Sequence, residues 1–223
     1  MKKLLKTAAL ICAVSAGGAQ AAPIKITYQP DGLFGVNNLR ETVKITTPGP
    51  GYDGYVRAGM FHLSADQGIG DFLAFCVDLA QFVKNPQYAV INNALFAGAT
   101  LENMERLFSS VLGGGTLSDV IDTSVEAAGL QVALWEVMLD TGNGYDLDNG
   151  AFSMSENAGV EAQAEAYLSG LFNGKTGAYK LTFFESDKNQ DVVTVAPVPL
   201  PASALMILAG LGGLITLRRR KSA

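Results

Sequence analysis

The sequence changes period twice between residues 22 and 197, and this order of elements constrains the fold more than any single motif. The segments IKITYQ (24–29), ETVKITT (41–47), YVRAGMFHLS (55–64) and DFLAFCVDL (71–79) set β-branched and aromatic residues between Gly, Pro, Asn and Asp punctuation, which is the pattern of strands. TPGPGYDG (47–54) reads as the loop between two of them. The fourth run is apolar on both faces and predicts a strand buried on both sides, with Cys76 on the face of Phe72, Ala74 and Asp78. From about residue 87 the spacing turns helical, through YAVINNALFAG, TLENMERLFSSVLGGG and a longer segment from Thr123. Thr123-Ser124-Val125-Glu126 fits a capping box. Ala127, Gln131, Leu134, Trp135 and Met138 then follow on one helical stripe. Another helix is expected from Ser153-Met154-Ser155-Glu156 to Phe172. AYKLTFFES (178–186) and DVVTVAPV (191–198) return to strand. The expectation is an α+β domain: an antiparallel sheet or sandwich, its terminal strands joining the early ones, with a helical insertion.

Both ends read as addresses. Lys2, Lys3 and Lys6 precede an apolar run, and Ala19-Gln20-Ala21 supplies a small-residue cleavage site, so residues 1–21 read as a secretory signal peptide removed by signal peptidase. Cys12 leaves with it, because bulky Ile11 before it does not suit a lipoprotein site. At the other end an uncharged stretch from Val198 to Leu217 is about long enough to cross a bilayer as a helix. The cluster Arg218, Arg219, Arg220 and Lys221 would hold the far side in the cytoplasm and leave residues 22–197 outside. The order Val198-Pro199-Leu200-Pro201-Ala202, apolar helix, basic end resembles the VPLPA variant of PEP-CTERM sorting signals. That resemblance covers residues 198–223. It implies a Gram-negative cell that makes extracellular polysaccharide, an exosortase-type membrane protease as partner, and a path from inner-membrane-anchored precursor to cell surface or matrix. An ordinary single-pass anchor has the same pattern of span and charge.

All 21 acidic residues fall between the two ends, while seven of the 16 basic residues belong to the ends themselves. The middle segment therefore carries nine basic residues against 21 acidic ones. Such a surface repels phosphate backbones and excludes nucleic acid as a partner.

One cysteine, Cys76, survives signal cleavage, so no intrachain disulfide is available. A glutamine on an apolar helical stripe needs partners, since an unsatisfied buried amide costs about 1–3 kcal/mol. Two readings of these residues stand. In the first, Gln131 bonds to backbone groups and Cys76 is a small core hydrophobe. In the second the two meet, the thiol attacks the carboxamide, ammonia leaves, and an internal thioester forms in an aromatic setting of Phe72, Phe75 and Trp135 that excludes water.

FCVDL (75–79) and LQVALWEV (130–137) resemble the paired motifs of bacterial surface thioester domains, an aromatic-Cys-Ile-Asp stretch followed by Thr-Gln-x-Ala-Ile-Trp. Cys76, Asp78, Gln131, Ala133 and Trp135 match, and Leu130 stands at the position of the threonine. The resemblance covers about residues 55–140. It implies covalent attachment, through Gln131, to an amine or hydroxyl of a surface or matrix molecule, with Asp78, Trp135 and Glu136 in support. One such event per molecule is not turnover, so the chain is read as an adhesion or matrix protein and not an enzyme. The alternative is a noncovalent structural or polysaccharide-binding matrix protein.

Other chemistries fit less well. His62 is the only histidine and no G-x-S-x-G segment occurs, so neither a serine triad nor a zinc site is marked. No cofactor is expected, calcium at the Asp140–Asn149 loop being the one metal considered. Asp140, Asn143, Asp146, Asp148 and Asn149 gather hard oxygens there, although Gly142, Gly144 and Ala151 depart from the EF-hand order.

Overall fold

The computed structural model of the protein describes residues 22–47, 53–140 and 144–199. The expected signal peptide, the transmembrane sorting helix, residues 200–202 of the sorting motif and the basic cluster from Arg218 lie outside these residues. Among the described residues no helix is long and apolar enough to cross a membrane.

The architecture is mixed α and β, with antiparallel sheets and helices. Six strands close into an antiparallel barrel: β1 (Ile24–Tyr28), β4 (Phe61–Ala65), β5 (Gly70–Cys76), β9 (Val192–Pro197), β8 (Tyr179–Glu185) and β6 (Gln87–Ile91), in that spatial order. A second sheet holds β3 (Gly54–Gly59), β2 (Arg40–Thr46) and β7 (Ser153–Ser155). The helices α1 (Gly98–Leu112), α2 (Leu117–Val120), α3 (Ser124–Leu139) and α4 (Ala158–Gly170) fall between β6 and β8 in the chain. The helical insertion and the return of the late strands to the early sheet thus match expectation, whereas the sheet is a barrel with a separate three-stranded sheet beside it.

The difference begins inside the segment 55–64, read from sequence as one strand. It splits at Met60, so that β3 pairs with β2 while β4 pairs with β1 and β5. Gly59 makes the crossing feasible, because a Cβ there would lie 2.3 Å from the Leu39 carbonyl oxygen and 2.7 Å from Arg40 Cα. The barrel also needs its sixth strand, and Gln87–Ile91 supplies it where a helix was expected. Gln87 and Ala89 are buried while Tyr88 and Val90 are exposed, an alternation of period two that the polar and aromatic mixture conceals.

Register fixes the barrel interior. Ile26 faces Ala65 and Gln87, Leu63 faces Phe72, and Cys76 faces Val192, which in turn faces Phe184. Phe72 stacks on Phe184 within this face, at 5.0 Å between centroids. The opposite face of β5 lies under the helices, where Phe75 meets Phe108 of α1 at 6.2 Å. Both faces of the C-terminal half of β5 are therefore buried, as its sequence implies, and each large side chain so enclosed contributes about 1.5–3 kcal/mol.

The capping box of α3 is formed: Glu126 N–H donates to Thr123 Oγ1 at 3.2 Å, and Thr123 N–H donates to Glu126 Oε2 at 3.1 Å. The single apolar stripe is not what this helix presents. Every residue from Ala127 to Val137 is buried, because β2 and β3 cover one side and α1 and α4 the others. The next helix starts later than expected, at Ala158. Ser153–Ser155 is drawn into β7 opposite Lys44–Thr46, and Glu156 adopts a left-handed φ of 65° that ends the strand. Asn157 then caps α4 through Oδ1, which accepts from Val160 N–H.

Because the Gly59 clash is with the backbone of two successive residues, Leu39 and Arg40, Gly59→Ala should destabilise the protein by about 1–3 kcal/mol. A urea midpoint unchanged from wild type would refute the close crossing at this residue.

Candidate functional site

Strand β5 delivers Cys76, and helix α3 delivers Gln131. The β4–β5 ladder ends at the pair Phe61–Ala74, and continuing its register would set Gly59 opposite Cys76. Gly59 instead belongs to the other sheet. Val77 N–H donates to Asp191 O on the β9 side, which turns the Cys76 N–H and C=O toward the vacated side. The Gln131 carboxamide fills both positions: Cys76 N–H donates to Gln131 Oε1 at 2.8 Å, and Gln131 Nε2 donates to Cys76 O at 2.9 Å. Both residues are 1% exposed.

The thiol donates to Asp78 O at 3.0 Å and accepts from Asp78 N–H at 3.4 Å. Burial is the largest influence on it and pushes the Cys76 thiol up to about 12. The Asp78 backbone and the nearby Trp135 indole pull it down, and the Asp78 and Asp191 carboxylates push it further up. The Trp135 influence is one of proximity, since Nε1 is inaccessible to solvent and meets no hydrogen-bond partner of ordinary geometry among the described residues. Asp78 is otherwise a turn former, its Oδ1 accepting from Ala80 N–H at 2.7 Å.

A cavity of about 310 Å³ lies beside the pair, with Cys76 and Trp135 in its lining. Its walls are mainly apolar, including Phe34, Val56, Phe61 and Leu79, with Arg57, Gln81 and Gln190 as polar members. Phe82 and Tyr55, 69% and 57% exposed, mark its open side. Arg57, Gln81, Gln190 and Asp191 were not singled out from sequence. Gln190 carries the clearest local role: its Nε2 donates to Asp78 O and Gln81 O, fastening the turn that follows Cys76. No spacing signal marks it, because it acts from a loop more than a hundred residues away. Asp191 accepts from Ser186 N–H at 2.7 Å, and burial, followed by neighbouring carboxylates, raises it to about 6.

Glu136 is fully buried one residue beyond Trp135. Its Oε1 accepts from Asp146 N–H at 2.9 Å, while Oε2 finds no donor among the described residues. The Asp140 carboxylate lies within its reach, so a proton on Glu136 turns that contact into a hydrogen bond. Burial is the main cause that raises Glu136 to about 7, with Asp140 and Asp146 adding to it. Asp140 itself accepts from Ala151 N–H and Phe152 N–H at 2.7 and 3.1 Å. Asp146 accepts from Asp148 N–H and Asn149 Nδ2. Of the oxygens considered for calcium, those of Asp140 and Asp146 are thus engaged with their own loop, and among the described residues no group of three or more His, Cys, Asp or Glu is placed to hold a metal. Asn143 lies outside those residues. Phe152 packs on Trp135 at 6.2 Å, which ties this loop to the cavity.

His62 sits in β4 with Nδ1 3.2 Å from Asp31 Oδ2, its ring against Gly35. It does not line the Cys76 cavity. Of the sorting motif, Val198 and Pro199 fall within the described residues, and Val198 N–H donates to Ala178 O at 2.9 Å.

Two outcomes follow. Gln131→Leu, of similar volume, should cost about 2–4 kcal/mol by leaving two buried backbone groups of Cys76 unpaired, and an unchanged denaturation midpoint would contradict this. Glu136 is raised above its unfolded value, so its contribution to stability is complete below about pH 4.3 and fades as pH rises through about 7. The wild type should therefore lose stability between pH 5 and 8 more steeply than Glu136→Gln, as read from urea midpoints across that range; parallel profiles would count against it.

The chain is similar to the N-terminal domain of the Streptococcus pyogenes pilus tip adhesin Cpa, with 14% identity and a TM-score of 0.42 over 82% of this chain and 97% of that one. No protein-family model matches the chain, and no curated protein matches it in sequence.

Proposed function

We propose that this is an exported, surface-sorted adhesion or matrix protein that attaches covalently to amines or hydroxyls through an internal Cys76–Gln131 thioester. The observation that carries the reading is the reciprocal, buried hydrogen bonding of the Gln131 carboxamide with the residue that bears the thiol, beside a cavity that the same residue lines.

The chemistry uses what is there. Cys76 Sγ adds to Gln131 Cδ, and charge builds on Oε1, which already accepts from the Cys76 N–H at 2.8 Å. A donor fixed at that oxygen stabilises the developing charge. The C–N bond breaks, and the nitrogen leaves as ammonia with the proton that the thiol gives up. No cofactor enters. A target amine or hydroxyl later adds to the same carbon, forming an amide or ester and returning the Cys76 thiol. Because burial keeps that thiol protonated, closure depends on enforced proximity more than on an ionised sulfur.

The sorting-signal resemblance supports the address: export through signal peptidase, an inner-membrane-anchored precursor, processing by an exosortase-type protease, and display among extracellular polysaccharide. The strong acidic balance of residues 22–197 suits an exposed, soluble surface domain. A second reading, noncovalent structural or polysaccharide binding, has one observation in its favour. The Gln131 amide is already satisfied at both ends by backbone, so packing alone accounts for it.

Intact mass of the mature domain, purified without amine nucleophiles, separates the two. The thioester predicts a loss equal to one ammonia, absent in Cys76→Ala, and subsequent addition of one methylamine. A full-mass protein with an alkylatable thiol and an unchanged glutamine at 131 would leave only the noncovalent reading.

A further inference from the structure

We propose that the indole N–H of Trp135 is the donor that receives the Cys76 sulfur when a target opens the acyl bond. This role rests on the thioester reading above and adds a leaving-group function to the residue.

An indole N–H can only donate. That of Trp135 is buried, the side chain being 2% exposed, and it has no acceptor among the described residues. An unmade buried donor is destabilising, and a phenyl ring in the same place would pack on Phe152 without that cost. The N–H is therefore free to take a stronger acceptor in another state of the protein. Trp135 lines the same cavity as Cys76, and the atom there whose bonding changes during the reaction is Sγ.

In the unreacted protein Sγ is a donor to Asp78 O and accepts a long contact from Asp78 N–H. On attack by an amine, the nitrogen lone pair adds to Gln131 Cδ, the carbonyl re-forms, and the C–S bonding pair stays on sulfur. The attached nitrogen then yields a proton and sulfur takes one up, leaving an amide and a thiol. Between those events sulfur is an anion in an apolar enclosure, with the Asp78 and Asp191 carboxylates opposing its charge. The Asp78 N–H alone is a weak counterweight at 3.4 Å. Trp135 supplies a second donor from the cavity, and its nearness already favours the ionised sulfur.

The test compares wild type with Trp135→Phe and with a protein carrying benzothienylalanine at position 135, which keeps the indole outline and lacks the N–H. Methylamine opening of the thioester is followed by intact mass, and iodoacetamide alkylation of the released thiol is followed across pH. Both replacements should slow opening about tenfold or more and slow alkylation at fixed pH by a similar factor, the loss of a hydrogen bond to a charged group. If only Trp135→Phe is slow, packing is responsible and the N–H role is overturned. Normal ammonia loss with equal rates and profiles in all three proteins overturns this role alone. Absence of ammonia loss in the wild type overturns the thioester reading and this role with it.

Discussion

A strand that loses its neighbour must find another partner for its backbone, and in this protein a single carboxamide provides it. The chain that pairs with β5 through Ala74 crosses into the second sheet at Met60, next to a glycine that no larger residue can replace without touching Leu39 and Arg40. Cys76 is left with a donor and an acceptor directed at the helical half of the molecule. Gln131 meets both. The barrel and the helices are thereby joined by polar bonds at the point where their ladders part, and each bond left unmade there would cost about 1–3 kcal/mol.

The same contact sets the terms of any chemistry. At neutral pH a thiol pushed up to about 12 is ionised to about one part in 10⁵. Against an ordinary thiol the loss of thiolate is about three powers of ten, smaller than the advantage of holding two reacting groups in place, about 10⁵ to 10⁸ M in effective molarity. Whether Cys76 reacts or packs is thus decided by geometry and by water. The carboxamide is held on one side by the Cys76 backbone, and the cavity beside it is lined mainly by aromatic and aliphatic side chains.

Much of this is legible in the sequence. The strand, helix, strand order carries through because long runs with a consistent period survive tertiary packing, and the Thr123 capping box forms because its partners are three residues apart. Gln131 stood out since an amide among apolar residues implies a facing partner. The misreadings share a physical cause, which is that a third layer decided the outcome. Tyr88 and Val90 are apolar yet face outward, so β6 looked helical. Ser153–Ser155 has helix-start chemistry, but β2 offered it a free edge first. The supposed stripe on α3 missed that the helix is covered on all sides. Gln190 could not have been found at all, because loops bring it to Asp78 without a periodic trace.

Helix α3 is what makes these separate features one site. Its first turn is fixed by Thr123 and Glu126, its centre by Gln131 on Cys76, and its last turn by Glu136 and Asp140 on the loop that returns Phe152 to Trp135. Successive residues on a helix are separated by about 100°, so a slip of one position would carry Gln131 away from Cys76 and Trp135 out of the cavity together. Gly129 adds a further restraint, since a Cβ there would lie 2.7 Å from Gln163 of α4. Capping, close packing, buried Glu136 and half-buried Asp140 therefore act on one variable, the rotation of α3. That rotation holds a poor electrophile and a protonated thiol in register.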